Sequence, residues 1–310
     1  MTEPTPAAPG AEWNARAYTR LSNPMQTWGE AVLSRLALRG DETALDLGCG
    51  SGRLTEFLLR RLTLGVRPKS AFHTPEGLRT PFKQIAWRGD SVAEDFSAAP
   101  LGRVIAVDRS ANMLEAARAY LEPEFEGRVE YVQASLDELD LDQVADLAFS
   151  NAAFHWIKDH PRLFRVVFRA LRPGGWLVAQ SGAGPNIARI RDRAARIMAS
   201  AAYRAYFEGW TGPWEFASPE VTRDRLLAAG FVDVDTSMFE APVQLSSATE
   251  TRDYFEHVIF GTHLARIPEA DLRADFLDSL TEQSAADEPA FRLDYWRLNL
   301  RARRPSPSSA

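Results

Sequence analysis

The chain has 310 residues, enough to bury a sizeable core in one large domain or in one domain plus a lid. A formal charge of −6 offers no general attraction to phosphate backbones or anionic lipid, so neither nucleic acid nor a membrane is expected as a partner. The single cysteine, Cys49, rules out an intramolecular disulfide and a thiolate metal cluster; with no apolar leader and no run near about 18 apolar residues, the expectation is a cytoplasmic monomer or homodimer that holds no metal.

Residues 1–10 are rich in Pro, Ala, Thr and Glu and read as a disordered N-terminus, as does the Pro/Ser tail 305–310. Trp13, Tyr18 and Trp28 then punctuate a polar segment. The run Ala44-Leu45-Asp46-Leu47-Gly48-Cys49-Gly50-Ser51-Gly52-Arg53 predicts a strand over 44–48, a tight loop and a helix. Glycines without a Cβ let backbone N–H groups approach a nucleotide-like ligand, and the following helix N-terminus adds partial positive charge. The third glycine comes one residue too early for the G-x-G-x-x-G of dinucleotide-binding loops.

Leu54, Phe57, Leu58 and Leu62 recur at i, i+3, i+4 and i+8 as one apolar helical face. Residues 63–99, with Pro68, Pro75 and Pro81, show no sustained period and read as an insertion. It is either disordered or a flap at the active site, and in the second case Phe72, His73, Phe82 and Trp87 are the residues that matter. A strand over 103–108 ends on Asp108, whose carboxylate can take both hydroxyls of a ribose or cap the helix opening near Ala111, a role for which Ser110 competes. Met113 suits either an adenine contact or the core.

Further strands are predicted over 129–134, 145–150 and 176–181, with Leu163, Val167, Ala170 and Leu171 forming another helical stripe. Such alternation implies a parallel sheet covered on both faces, with ligands outside the carboxyl ends of its strands. Beyond residue 182 come helical stretches over 186–207 and 219–229, a strand over 231–234, helices over 249–265 and 268–284, and an alternating run over 293–300. Arg189, Arg193 and Arg196 share one helical face, which is either solvated or an anion-binding side of the substrate pocket.

The glycine loop, Asp108 with Met113, Asp146-Leu147-Ala148-Phe149-Ser150-Asn151-Ala152 and Leu171-Arg172-Pro173-Gly174-Gly175 stand in the order found in class I S-adenosylmethionine-dependent methyltransferases, which the chain resembles over about residues 14–304. It is similar to small-molecule enzymes of the trans-aconitate methyltransferase type through Ser150-Asn151-Ala152-Ala153-Phe154-His155-Trp156 and Leu293-Asp294-Tyr295-Trp296-Arg297-Leu298. The resemblance implies an α/β fold: a Rossmann-like, seven-stranded, mostly parallel sheet with helices on both faces, closed by an antiparallel hairpin. The methyltransferase domain would span 11–304, with a helical lid (186–215 and 249–285) inserted before the last strand.

The same resemblance implies S-adenosyl-L-methionine as cofactor, held by Asp46, Gly48, Gly50, Gly52 and Asp108. Met113, Ser135 and Leu136 would flank its adenine, Asn151 would face its methionine portion, and Tyr18 would reach it from a segment folded over it. Ser135 stands where the family often has an acid. The expected reaction is O-methylation of a small carboxylate-bearing acceptor. A carboxylate needs no base, whereas a phenol or amine would use His155 as the catalytic group. Two other readings remain open: an NAD-dependent oxidoreductase, which shares a glycine loop and strand-end acid, and a non-catalytic S-adenosylmethionine-binding protein.

Overall fold

A computed structural model of the chain describes residues 13–34, 36, 38–64 and 101–306. The predicted N-terminal disorder and most of the 63–99 insertion, including Phe72, His73, Phe82 and Trp87, lie outside these residues, as do positions 307–310 of the tail. The chain divides into two compact units.

The larger unit, Asn23–Asn186, Trp214–Ala241 and Trp296 onward, contains the sheet. Its strands are β1 (Thr43–Leu47), β2 (Arg103–Asp108), β3 (Val129–Gln133), β4 (Ala145–Asn151), β5 (Leu171–Gly182), β6 (Val232–Glu240) and β9 (Trp296–Arg303). They lie in the order β3-β2-β1-β4-β5-β9-β6. The first five are parallel, and β9 runs antiparallel to both β5 and β6, as the resemblance implies.

Side chains alternating to two covered faces bury β1 throughout and β2 from Val104 to Val107. Leu45, Leu47, Ile105 and Val107 join one apolar layer, with the α5 (His160–Ala170) residues Leu163, Phe164 and Val167. Ala44, Val104 and Ala106 join the other, with Leu58, Leu59 and Leu62 of α3 (Arg53–Leu64) and Val32 and Leu33 of α2 (Asn23–Leu33). Each of these leucines is fully buried and contributes on the order of 1.5–3 kcal/mol of transfer free energy. Helix starts follow local chemistry: Ser110 caps α4 (Ala111–Phe125), Asp159 caps α5 and Ser218 caps α8 (Pro219–Ala228) through side-chain oxygens.

The smaller unit takes the N-terminal residues up to Ser22, then Ile187–Pro213 and Pro242–Tyr295. It holds α1 (Ala15–Leu21), α6 (Ala188–Met198), α7 (Arg204–Phe207), α9 (Ala248–Tyr254), α10 (Gly261–Leu264) and α11 (Ala270–Ala285). A two-stranded sheet, β7 (Val243–Gln244) with β8 (Arg292–Leu293), was too short to show in the sequence pattern. Phe260 and Tyr203 pack edge-on against Phe276, at 5.6 and 5.9 Å between ring centroids.

Several boundaries differ from the sequence expectation. The helix predicted over 186–207 divides at Ala199, and that over 249–265 passes through a π-helical turn at Phe255–Ile259. The strand predicted over 231–234 continues to Glu240, with an irregularity where Asp233 has φ 53°. Helix α3 runs through Leu64, two residues into the expected insertion.

Candidate functional site

The carboxyl ends of β1, β2 and β4 bring together the loop 48–52, Asp108, Asn151 and, just beyond, His155. Gly48, Gly50 and Gly52 have φ of 82°, 54° and 87°, a region in which only glycine is unstrained. Two of them are also places of close packing: a Cβ on Gly48 would stand 2.4 Å from that of Ala153, and one on Gly52 would stand 2.9 Å from Leu121 Cδ1. Nothing lies within 4 Å of a Cβ placed on Gly50.

The direction of the loop's N–H groups differs from the expectation. Those of Gly48 and Cys49 both donate to the Val107 carbonyl, at 2.8 and 3.0 Å, and that of Gly52 to the Cys49 carbonyl. That of Gly50 donates to Asp108 Oδ2 at 3.0 Å. Four backbone donors that a phosphate would need are therefore used inside the protein.

Acceptors stand at the same edge. Asp108 takes the Ser110 N–H on Oδ1 at 2.9 Å and the Gly50 N–H on Oδ2, and each oxygen keeps a lone pair for a further donor. Burial raises its pKa, and these backbone bonds oppose the rise. Ser110, and not Asp108, caps α4. Asp46, only 2% exposed, faces α3 and accepts from Thr55 Oγ1 at 2.7 Å. Burial, with a smaller contribution from the charge of Asp108, pushes its pKa up to about 7 against the Thr55 bond.

Asn151 Nδ2 donates to the Met25 carbonyl of α2 at 2.8 Å. A carbonyl only accepts, so the amide orientation is forced, and Oδ1 is left buried with no hydrogen-bond partner among the described residues. Nothing in the sequence marked the Met25 backbone as the group that would orient this amide. Ser135 donates to Asp137 Oδ1 at 2.5 Å, so the acid absent from position 135 stands two residues later, and the serine oxygen keeps its accepting lone pairs. Leu136 and Met113 are almost fully buried, at 6% and 3% exposed, and offer at most an edge to a ligand.

His155 Nδ1 accepts the Gly182 N–H at 3.3 Å. Burial first, then the charges of Arg297 and His160, hold its pKa well below the ordinary value, so the ring is neutral and carries its proton on Nε2. It is thus arranged to donate a hydrogen bond from Nε2. Its ring stacks on Phe216 at 5.6 Å, Phe216 on Trp214 at 5.7 Å, and Trp156 tilts against Trp214 at 5.8 Å.

Tyr18 belongs to the smaller unit, where its ring meets Trp13 edge-on at 5.2 Å. The predicted basic face on α6 is drawn inward: Arg193 donates from both terminal nitrogens to Asp287, Arg189 reaches the same carboxylate, and Arg196 is exposed. Among the described residues no three His, Cys, Asp or Glu side chains form a metal-ligating group. No described helix is long and apolar enough to cross a membrane.

Buried histidines also set an acid limit on stability. His155 and His160 have lowered pKa values, and burial pushes His263 of the smaller unit down to about 3. As pH falls below about 6.5, the unfolded chain takes up protons that the fold refuses, so these three groups lose stability with acid. Asp46, raised instead, works the other way between about pH 4 and 7. Asp108, also raised, acts in the same direction as Asp46; the three histidines outnumber the two carboxyls, and the urea midpoint is expected to fall between pH 6.5 and 5, with a rising midpoint reversing the assignment.

Residues 88–179 match a protein family described as a methyltransferase domain, a span that begins after the glycine loop. The chain is similar to a trans-aconitate 2-methyltransferase of Azoarcus sp. (strain BH72), 30% identical over 168 residues, which are 54% of this chain and 50% of that protein. A protein of the same name from Methylobacterium radiotolerans is 27% identical, and the match covers 67% of this chain and 59% of that one. The chain thus spans half to three fifths of the length of these two relatives. A third, from Deinococcus radiodurans, is 26% identical over 289 residues, covering 91% of this chain and 94% of the relative.

Among solved structures, a Haemonchus contortus phosphoethanolamine N-methyltransferase 2 in complex with S-adenosyl-L-methionine superposes with TM-score 0.54 at 19% identity, over 94% of this chain and 57% of that one. The cyclase SpnF superposes with TM-score 0.51 at 16% identity, over 97% and 89%. At these identities the likeness is one of fold, and the cyclase illustrates how one fold carries different chemistry.

Proposed function

We propose, for a chain that belongs to the class I S-adenosylmethionine-dependent methyltransferases, transfer of a methyl group to an oxygen of a small carboxylate-bearing acceptor. One observation carries the reading: the loop's N–H groups turn inward while unspent acceptors on Asp108 and Asn151, with the carboxyl of Asp46, gather at the strand ends. That inventory suits a partner that brings hydroxyls, an amino group and positive charge but no phosphate. It opposes a pyrophosphate cofactor such as NAD.

S-Adenosylmethionine supplies, when bound, a methyl group on a cationic sulfur. We assign Asp108 to its ribose hydroxyls, Asn151 Oδ1 and Asp46 to its cationic portion, and Met113, Ser135 and Leu136 to its adenine. Holding the reacting atoms in line and dry can supply on the order of 7–11 kcal/mol of the barrier. A carboxylate acceptor, with a pKa of about 4, is already ionised near neutral pH and needs no base. A neutral His155 that donates through Nε2 suits such an acceptor, orienting it without removing a proton. The relatives named for trans-aconitate support the same acceptor class. A cytoplasmic setting, in a monomer or homodimer, completes the reading.

Calorimetry tests it. The protein is expected to bind S-adenosylmethionine and not NAD; the opposite preference would overturn the reading. With a pKa of about 7, Asp46 is half-protonated at pH 7, so a cationic ligand is expected to displace about half a proton. Binding heats in buffers of different ionisation enthalpy measure that release, and Asp46→Asn should abolish it. S-Adenosylhomocysteine release over a panel of acids, phenols and amines then tests the acceptor class.

A further inference from the structure

The peptide units on either side of His155 are both held from outside their own turn. His155 is the middle residue of a 3₁₀ turn, Phe154–Trp156, that lies between β4 and α5. The Phe154 carbonyl accepts the Ile157 N–H that closes the turn and, in addition, His160 Nε2 at 3.0 Å. The His155 carbonyl accepts the Glu215 N–H at 2.9 Å, and the next residue, Phe216, stacks on the imidazole with 26° between the ring planes. The two supports are joined to each other. Arg225 of α8 donates from Nη1 both to Glu215 Oε1 at 2.9 Å and to His160 Nδ1 at 3.1 Å.

Fixed donors and acceptors leave this closed set of bonds one arrangement. A carbonyl only accepts, so His160 carries its proton on Nε2; a guanidinium only donates, so Nδ1 keeps its lone pair and the ring is neutral. Burial first, and then the charge of Arg225, hold the His160 pKa below the ordinary value, against the Phe154 bond and the nearby acids Glu215 and Asp159. His160 is only 3% exposed, and the Arg225 and Glu215 side chains are 25% and 29% exposed, so competing water is largely excluded from the bonds that connect them.

Resting on the reading above, in which a neutral His155 directs its Nε2–H at the acceptor, we infer that His160, Arg225 and Glu215 are positioning residues: they clamp the turn around His155 and so set where that donor points. The imidazole has two anchors of its own, a long bond from the Gly182 N–H at 3.3 Å and the Phe216 ring. Neither fixes the backbone that carries the ring. The two held carbonyls do, and one of the holding residues, Glu215, also places Phe216. A misplacement of about 1 Å at a reacting partner can cost on the order of 100-fold in rate, so a clamp on this turn acts on turnover without touching the acceptor or the cofactor.

The test compares His160→Leu, which removes both bonds, with His160→Gln, whose amide presents a donor and an acceptor as the imidazole does, in the full chain loaded with S-adenosylhomocysteine. Nitrogen NMR of the imidazoles reads His155 directly. In the wild type and in His160→Gln its ring signals are expected to stay constant from about pH 7.5 to about pH 5.5, as a buried neutral ring requires. In His160→Leu the loosened turn admits water, and the His155 signals should move with a midpoint near the ordinary value of about 6.5. With trans-aconitate as the probe acceptor, kcat near neutral pH should fall about 10-fold in His160→Leu, with little change in KM, and return to within about threefold in His160→Gln. S-Adenosylhomocysteine affinity should stay within about twofold in both. Constant His155 signals in His160→Leu, or a glutamine variant that behaves as the leucine one does, would overturn the clamp. Should His160→Leu fail to fold, Arg225→Met on the partly exposed face of α8 decides: His155 signals that move over the same pH range support the clamp, and constant signals overturn it. Failure of the wild type to bind S-adenosylhomocysteine, or to methylate trans-aconitate, would instead count against the methyltransferase or the acceptor reading, and the His155 signals of the unliganded chain would still decide the clamp.

Discussion

Asp108→Ala is expected to weaken S-adenosylmethionine binding by about 30- to 1,000-fold, equivalent to roughly 2–4 kcal/mol. The carboxylate does two things at once. Through the Gly50 N–H at 3.0 Å it ties the glycine loop to the end of β2, and through the Ser110 N–H it fixes its own rotamer at the head of α4. With both oxygens so oriented, their remaining lone pairs are set for a pair of vicinal hydroxyls, and a charge-assisted hydrogen bond is roughly twice as strong as a neutral one. Alanine removes those acceptors and releases the Gly50 N–H together. Asp108→Asn, which keeps one accepting oxygen, should recover part of the loss. Titration with S-adenosylhomocysteine measures the effect, and an alanine variant with wild-type affinity would reject the ribose assignment.

The second large effect separates two glycines that look alike in the sequence. Gly48→Ala is expected to destabilise the fold by about 2–5 kcal/mol. The backbone conformation costs roughly 1–2 kcal/mol for an L-residue, and a Cβ 2.4 Å from that of Ala153 forces a shift that costs about 1–3 kcal/mol more. Gly50→Ala carries the conformational cost alone, since its Cβ would meet nothing within 4 Å. The open space it would enter lies on the loop assigned to the cofactor. Gly50→Ala should therefore lose about 1–2 kcal/mol of stability yet bind S-adenosylhomocysteine at least 10-fold more weakly. Urea unfolding and calorimetry on both variants check the contrast. Equal destabilisation would refute the packing argument, and unchanged affinity in Gly50→Ala would move the ligand away from the loop.

Much of the site was legible because its signals are local. The glycine spacing, the strand-end acids Asp46 and Asp108 and the Ser110 cap lie within a few residues of the elements they shape, and each follows from backbone geometry or one short hydrogen bond. The order of motifs also carried the seven-stranded topology, including the reversed strand β9. Asp137 was legible in principle, two residues from Ser135, but was passed over in favour of the position the family pattern marks. The π-helical turn at Phe255–Ile259 carries no comparable mark, since its apolar spacing reads as ordinary helix.

Tertiary structure decided which atoms remain to act. The amide of Asn151 is turned by Met25, 126 positions away, and the imidazole of His155 by the Gly182 backbone, 27 positions away. Sequence alone determined which groups would meet at the strand ends, because periodicity, caps and glycine φ are short-range properties of the chain. It could not determine the proton on His155, the pKa of Asp46 or the orientation of the Asn151 amide. Those depend on burial and on donors from distant strands, and they exist only once the sheet has formed.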